Sequence, residues 1–78
     1  MPNAINLSRT ATFRTTARLW DAVGKAERAE ERAATAYARR KTMKNREAWE
    51  AAEKAVAAAR IARDAHEEAV RAAAGGGK

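Results

Sequence analysis

Between residues 48 and 72 alanine returns at alternating steps of three and four: Ala48, Ala51, Ala55, Ala58, Ala62, Ala65, Ala69 and Ala72. A residue type held at that spacing marks one stripe of an α-helix, because a strand repeats every two residues. A second series, Leu19, Ala22, Ala26, Ala29, Ala33 and Ala36, keeps the same steps and continues through Arg40 to Met43. From Thr15 to Ala74 the chain is dominated by Ala, Arg, Glu and Lys, with Gly24 its single interior glycine, and the single proline is Pro2. These are strong helix formers with no breaker among them, so the expected class is all-α.

One helix over residues 15–74 would be a rod about 90 Å long with its alanine stripe in water. Folding the chain back instead sets Leu19 against Ala72, Ala26 against Ala65, Ala33 against Ala58 and Met43 against Ala48, about an axis between Asn45 and Arg46. Thr42, Lys44 and Asn45 lie at that point, and asparagine accepts turn conformations. The flanks agree with this register, since Arg39 comes near Glu47 while Arg18 and Lys25 bracket Glu68. The sequence therefore predicts an antiparallel two-helix hairpin, an alanine-seamed coiled coil with an irregular N-terminal arm. The expected boundaries are an arm over 1–14, helices over 15–43 and 48–74, a turn over 44–47 and a flexible Gly-rich tail over 75–78.

A seam of methyl groups is weak. Alanine supplies 23 of the hydrophobic residues and leaves 13 larger ones, and each CH₂-sized group contributes only about 0.8 kcal/mol. A chain of this size is marginal without a staple or a partner. Six larger residues, Trp20, Val23, Tyr37, Trp49, Val56 and Val70, fall on one flank of the predicted hairpin. They form two patches separated by an interhelical charge cluster of Glu27, Glu30, Arg63 and His66. One hairpin has nothing to cover them, so they are the expected protein interface, closed by another protein or by a second copy. Two hairpins stacked through this flank would form a four-helix bundle.

With 78 residues, no cysteine and one histidine, a disulfide scaffold and a thiolate or histidine-cluster metal site are excluded. His66 is the single histidine and so a candidate for acid–base chemistry, but a two-helix surface has no walls for a catalytic pocket. The expectation is no enzyme, no catalytic residue, no metal, no cofactor and no small-molecule substrate. No stretch approaches the roughly 18 apolar residues of a membrane span, and the Thr-rich start has no signal-peptide core. The expected location is the cytoplasm or a particle such as a virion. Eleven Arg to five Lys, with abundant alanine, suits a GC-rich bacterial or phage genome.

The net charge is +6 and unevenly placed, with Arg39, Arg40, Lys41, Lys44 and Arg46 clustered without an acid. Clustered bases of this kind bind phosphate. Two expectations follow. The leading one is a small non-enzymatic helical protein acting through protein–protein assembly, as an adapter, an inhibitor or a structural subunit of a larger particle. The alternative is a nucleic-acid-binding accessory protein using the basic tip and the arm. A membrane surface ranks below both, because residues 48–74 are too acidic for a lipid-seeking helix.

Overall fold

The computed structural model describes residues 2–75, with side chains from residue 11 onward. Two helices, α1 (Pro2–Arg39) and α2 (Met43–Gly75), pack against each other as an antiparallel hairpin. The molecule measures 58 × 21 × 12 Å, and its long axis matches the ~57 Å expected of a 38-residue helix at 1.5 Å per residue. The chain folds back, as the sequence predicts, and is not a single rod.

Residues 2–14, expected as an irregular arm, belong to α1. Pro2 opens the helix, where a missing N–H costs nothing. Where the predicted arm would join the predicted helix, two threonines bond back within α1. Thr15 Oγ1 donates to the Ala11 carbonyl at 3.0 Å, and Thr16 Oγ1 to that of Thr12 at 2.9 Å. A hydroxyl satisfied by the carbonyl one turn earlier lets a β-branched residue sit inside a helix. Of the tail predicted over 75–78, Gly75 ends α2 and the rest lies outside the described residues.

The turn also differs from expectation. It occupies Arg40, Lys41 and Thr42, about one helical turn before the predicted 44–47. Thr42 is the N-cap of α2: its Oγ1 accepts the Asn45 amide at 3.1 Å, and its carbonyl accepts the Arg46 amide at 3.0 Å. Asn45 contributes its side chain, since no described non-glycine residue has positive φ. Its Nδ2 donates to the Arg40 carbonyl at 2.9 Å and to the Ala36 carbonyl at 3.3 Å. One side-chain amide at the start of α2 thereby adds a second donor to two carbonyls at the end of α1, that of Ala36 being already bonded by the Arg40 amide at 3.0 Å. The Thr42 amide bonds to the same Arg40 carbonyl at 2.9 Å and closes the connection tightly.

The seam is the third correction. It is lined on α1 by Thr16, Leu19, Val23, Ala26, Glu30, Ala33 and Tyr37 and on α2 by Asn45, Trp49, Ala52, Val56, Ala59, Arg63 and His66, with Thr12, Thr15, Gly24, Ala29, Ala34 and Glu67 also partly shielded beside them. Both sets keep the 3-4 spacing. The α1 set retains Leu19, Ala26 and Ala33 from the predicted stripe, but α2 is rolled by one residue, about 100°, so none of its predicted alanines lies inside. Val23 and Val56, each 3% exposed, form the buried core. The register moves with the turn, and Glu27 pairs with Arg60, a residue outside the predicted charge cluster. Energy decides the roll. Burying a valine or an aromatic contributes roughly 1.5–3 kcal/mol, against well under 1 for a methyl. Large side chains also stand beside small ones in this seam (Tyr37 and Trp49 beside Ala33 and Ala52), which lets the two helices interdigitate.

Candidate functional site

With each helix written as heptads abcdefg and the observed seam at a and d, the surface sorts into unlike faces. The e positions make the polar flank. Here Glu27 Oε2 meets Arg60 Nη2 at 2.7 Å, and Trp20 Nε1 donates to Glu67 Oε2 at 2.9 Å. The Glu27 hydrogen bond, opposed by slight desolvation and helped by the charges of Glu27, Glu30 and Asp64, raises the Arg60 pKa above its ordinary value. This pair is about half exposed on both sides and so orients the helices more than it stabilises them.

The six residues expected as a protein interface divide. Val23 and Val56 are the buried core. Tyr37 and Trp49 stack on each other inside the seam, with ring centroids 5.7 Å apart and planes 18° apart. These four are covered by the hairpin itself, because the roll of α2 carries them inward. Trp20 remains half exposed, with the Arg63 guanidinium 4.4 Å over its ring. Val70, 36% exposed, floors an open groove of about 360 Å³ lined also by Thr16, Glu67 and Arg71. The Trp49 indole N–H is buried and meets no acceptor.

The charge cluster is divided as well. Glu30, Arg63 and His66 each take a partly shielded seam position at a different level of the hairpin, while Glu27 stays on the flank with Arg60. His66 Nε2 lies 2.9 Å from Thr16 Oγ1, and Arg63 Nε donates to Asp64 Oδ1 at 3.0 Å. His66 is thus bound into the packing between the helices. The basic residues stay together: Arg39, Arg40, Lys41, Lys44 and Arg46 are all exposed around the connection, and Arg46 alone among them is paired among the described residues, with Glu50 at 3.0 Å.

One surface escaped the sequence reading. The eight alanines of α2 from Ala48 to Ala72 occupy its c and g positions, and every one is exposed. On α1 the adjoining g positions are Thr15, Ala22, Ala29 and Ala36. The c positions beyond them are Arg18, Lys25, Arg32 and Arg39, all exposed. A broad alanine face therefore runs along one side of the hairpin, edged on α1 by four bases at heptad spacing. An open groove of about 380 Å³ lies against this edge, between Glu31, Arg32, Thr35, Ala36 and Arg39. The signal for this face was the alanine spacing itself, which the sequence reading placed inside. Phe13, Met43 and Ile61, 75%, 72% and 68% exposed, also lie outside the core, Met43 despite its place in the predicted seam.

No known protein family, no curated protein and no solved structure matches the chain.

Proposed function

We propose that the protein is a non-enzymatic helical hairpin that works by protein–protein assembly, as an adapter, an inhibitor or a subunit of a larger particle. The observation that supports this is the exposed alanine face. Between residues 48 and 72 of α2 the outward e, b and f positions are charged at eight of ten, Ala57 and Ile61 being the exceptions, whereas the c and g positions hold eight alanines out of eight. A helix kept in water on that side would use charged residues there as well, as it does elsewhere. Methyl groups allow another helix to approach within the 8–10 Å of ordinary helix packing. Half-exposed Trp20 and nearly bare Phe13, one heptad apart on the opposite flank, add a second apolar contact area.

Site-specific photocrosslinking in lysate of the source cell tests this reading. A photoreactive residue at Ala58 should give discrete protein adducts, while one at Asp64, on the charged back of α2, should give none. Adducts that do not depend on position would refute assembly through this face. The second reading, nucleic-acid binding, is favoured by the exposed cluster Arg39, Arg40, Lys41 and Lys44 at the tip, which forms no ion pair among the described residues. It calls for nucleic-acid adducts from Lys41 and for retention that falls steeply with salt. Among the described residues no helix is long and apolar enough to cross a membrane.

A further inference from the structure

We infer that the alanine face takes an acidic α-helix from a partner protein, completing a three-helix bundle. The inference rests on the assembly reading and names the partner's chemistry. The face has two unlike edges. On α1 it is bounded by Arg18, Lys25, Arg32 and Arg39, one per heptad and so about 10.5 Å apart. Of these, Lys25 pairs with Asp21 at 3.2 Å, and the three arginines form no ion pair among the described residues. On α2 the outer edge is mixed, with Glu47, Lys54, Ile61 and Glu68. A helix lying in the groove between α1 and α2 presents one flank to the basic row. That flank needs a carboxylate at each heptad.

The contact positions of the partner must be small. Alanine on both walls brings the axes close, and a large side chain would hold them apart and expose the methyls again. The stripe spans residues 48–72, so the occupant is a helix of about 36 Å. A second copy of this chain fits poorly. Each copy carries +6, and facing the two alanine faces sets the basic row against an edge holding one lysine and only two acids. Pairing α1 with α1 would set basic row against basic row. Charge complementarity selects a foreign acidic helix.

The test uses the full chain and two designed peptides, each about four heptads long and stapled on its outer face to keep it helical. Both carry alanine at the contact positions; one has glutamate on its flanks and the other lysine. Fluorescence anisotropy of the labelled peptides should show binding of the glutamate peptide alone. Its affinity should fall at least about tenfold on Ala62→Arg, on Ala69→Arg, and on the double change Arg32→Glu and Arg39→Glu, while circular dichroism shows each variant as helical as the parent. Absence of binding overturns the inference. So does binding that survives Ala62→Arg and Ala69→Arg, since that is charge adhesion without docking, and so does self-association in sedimentation that Ala62→Arg abolishes. Protein adducts from Ala58 beside an inert glutamate peptide would reject the acidic helix and leave the assembly reading standing.

Discussion

The roll of α2 is decided by comparing two substitutions two residues apart. Val56 is 3% exposed, whereas Ala58 lies in the exposed stripe. Val56→Ala removes two methyl-sized groups, about 1.6 kcal/mol of transfer free energy, and leaves a cavity that adds to the loss. Alanine is the better helix former by roughly 0.5 kcal/mol, which offsets part of this. The net expected loss is about 1–2 kcal/mol. For a chain of this size that lowers the midpoint of thermal unfolding by roughly 5–15 °C. Ala58→Leu enlarges an exposed side chain of similar helix propensity and should stay within about 0.5 kcal/mol. Thermal and urea unfolding followed by circular dichroism at 222 nm measure both. If the helices met through the alanine stripe, the order would reverse: Ala58→Leu would overpack the seam at a cost of about 1–3 kcal/mol, and Val56→Ala would be nearly silent. That reversed order refutes the packing described above.

Other consequences can be checked separately. Cysteines at Ala33 and Ala52 should form an intramolecular disulfide under mild oxidation, while the pair Ala33 and Ala58 should not, as read by mobility before and after reduction. Thr42→Ala should cost about 1 kcal/mol through loss of the N-cap, and Thr42→Asp should restore most of it, both by urea unfolding. Asn45→Ala removes two hydrogen bonds to the end of α1 and should cost about 1–2 kcal/mol, with faster amide exchange confined at first to residues near the connection. In single-tryptophan variants Trp49, stacked on Tyr37, should emit to the blue of half-exposed Trp20; equal emission would contradict the burial assigned to it.

Helical class and hairpin topology were legible because both rest on local signals: the 3-4 spacing, the lack of interior proline, and a chain too apolar on one side for an isolated rod. Which stripe faces inward was not. Ala48 and Trp49, Ala55 and Val56, and Ala69 and Val70 are neighbours, so two heptad series run along α2 one residue apart, and spacing alone treats them equally. The alanine series is unbroken, whereas the other is interrupted by Arg63 and His66. Continuity therefore pointed to the wrong stripe, and the apolar area of Trp49 and Val56 outweighed it. The same error moved Val23, Tyr37, Trp49 and Val56 from core to interface. The helical course of residues 2–14 was missed because the start of the chain shows no helical periodicity and carries capping and β-branched residues, which are weak helix formers. The turn was placed late because Asn45 was credited with a backbone role. Its side chain does the bonding, across to a helix that sequence order does not reveal.

The interruption has its own consequence. Two alanine stripes packed together could slide by a heptad and lose little, because every layer would look alike. The observed seam has distinct layers: the Tyr37–Trp49 stack near the tip, valine at mid-length, and Thr16 bound to His66 toward the open end. A one-heptad slip would break the aromatic stack, separate Glu27 from Arg60 and strip His66 of its hydroxyl partner together. Half-buried polar groups cost free energy, but a single mismatched layer is enough to set register. Register fixed by unlike residues leaves the uniform stripe outside. The feature that made alanine look like the core is the feature that suits it to a partner helix: a smooth, repeating surface on which docking is specified by the charges along its edge.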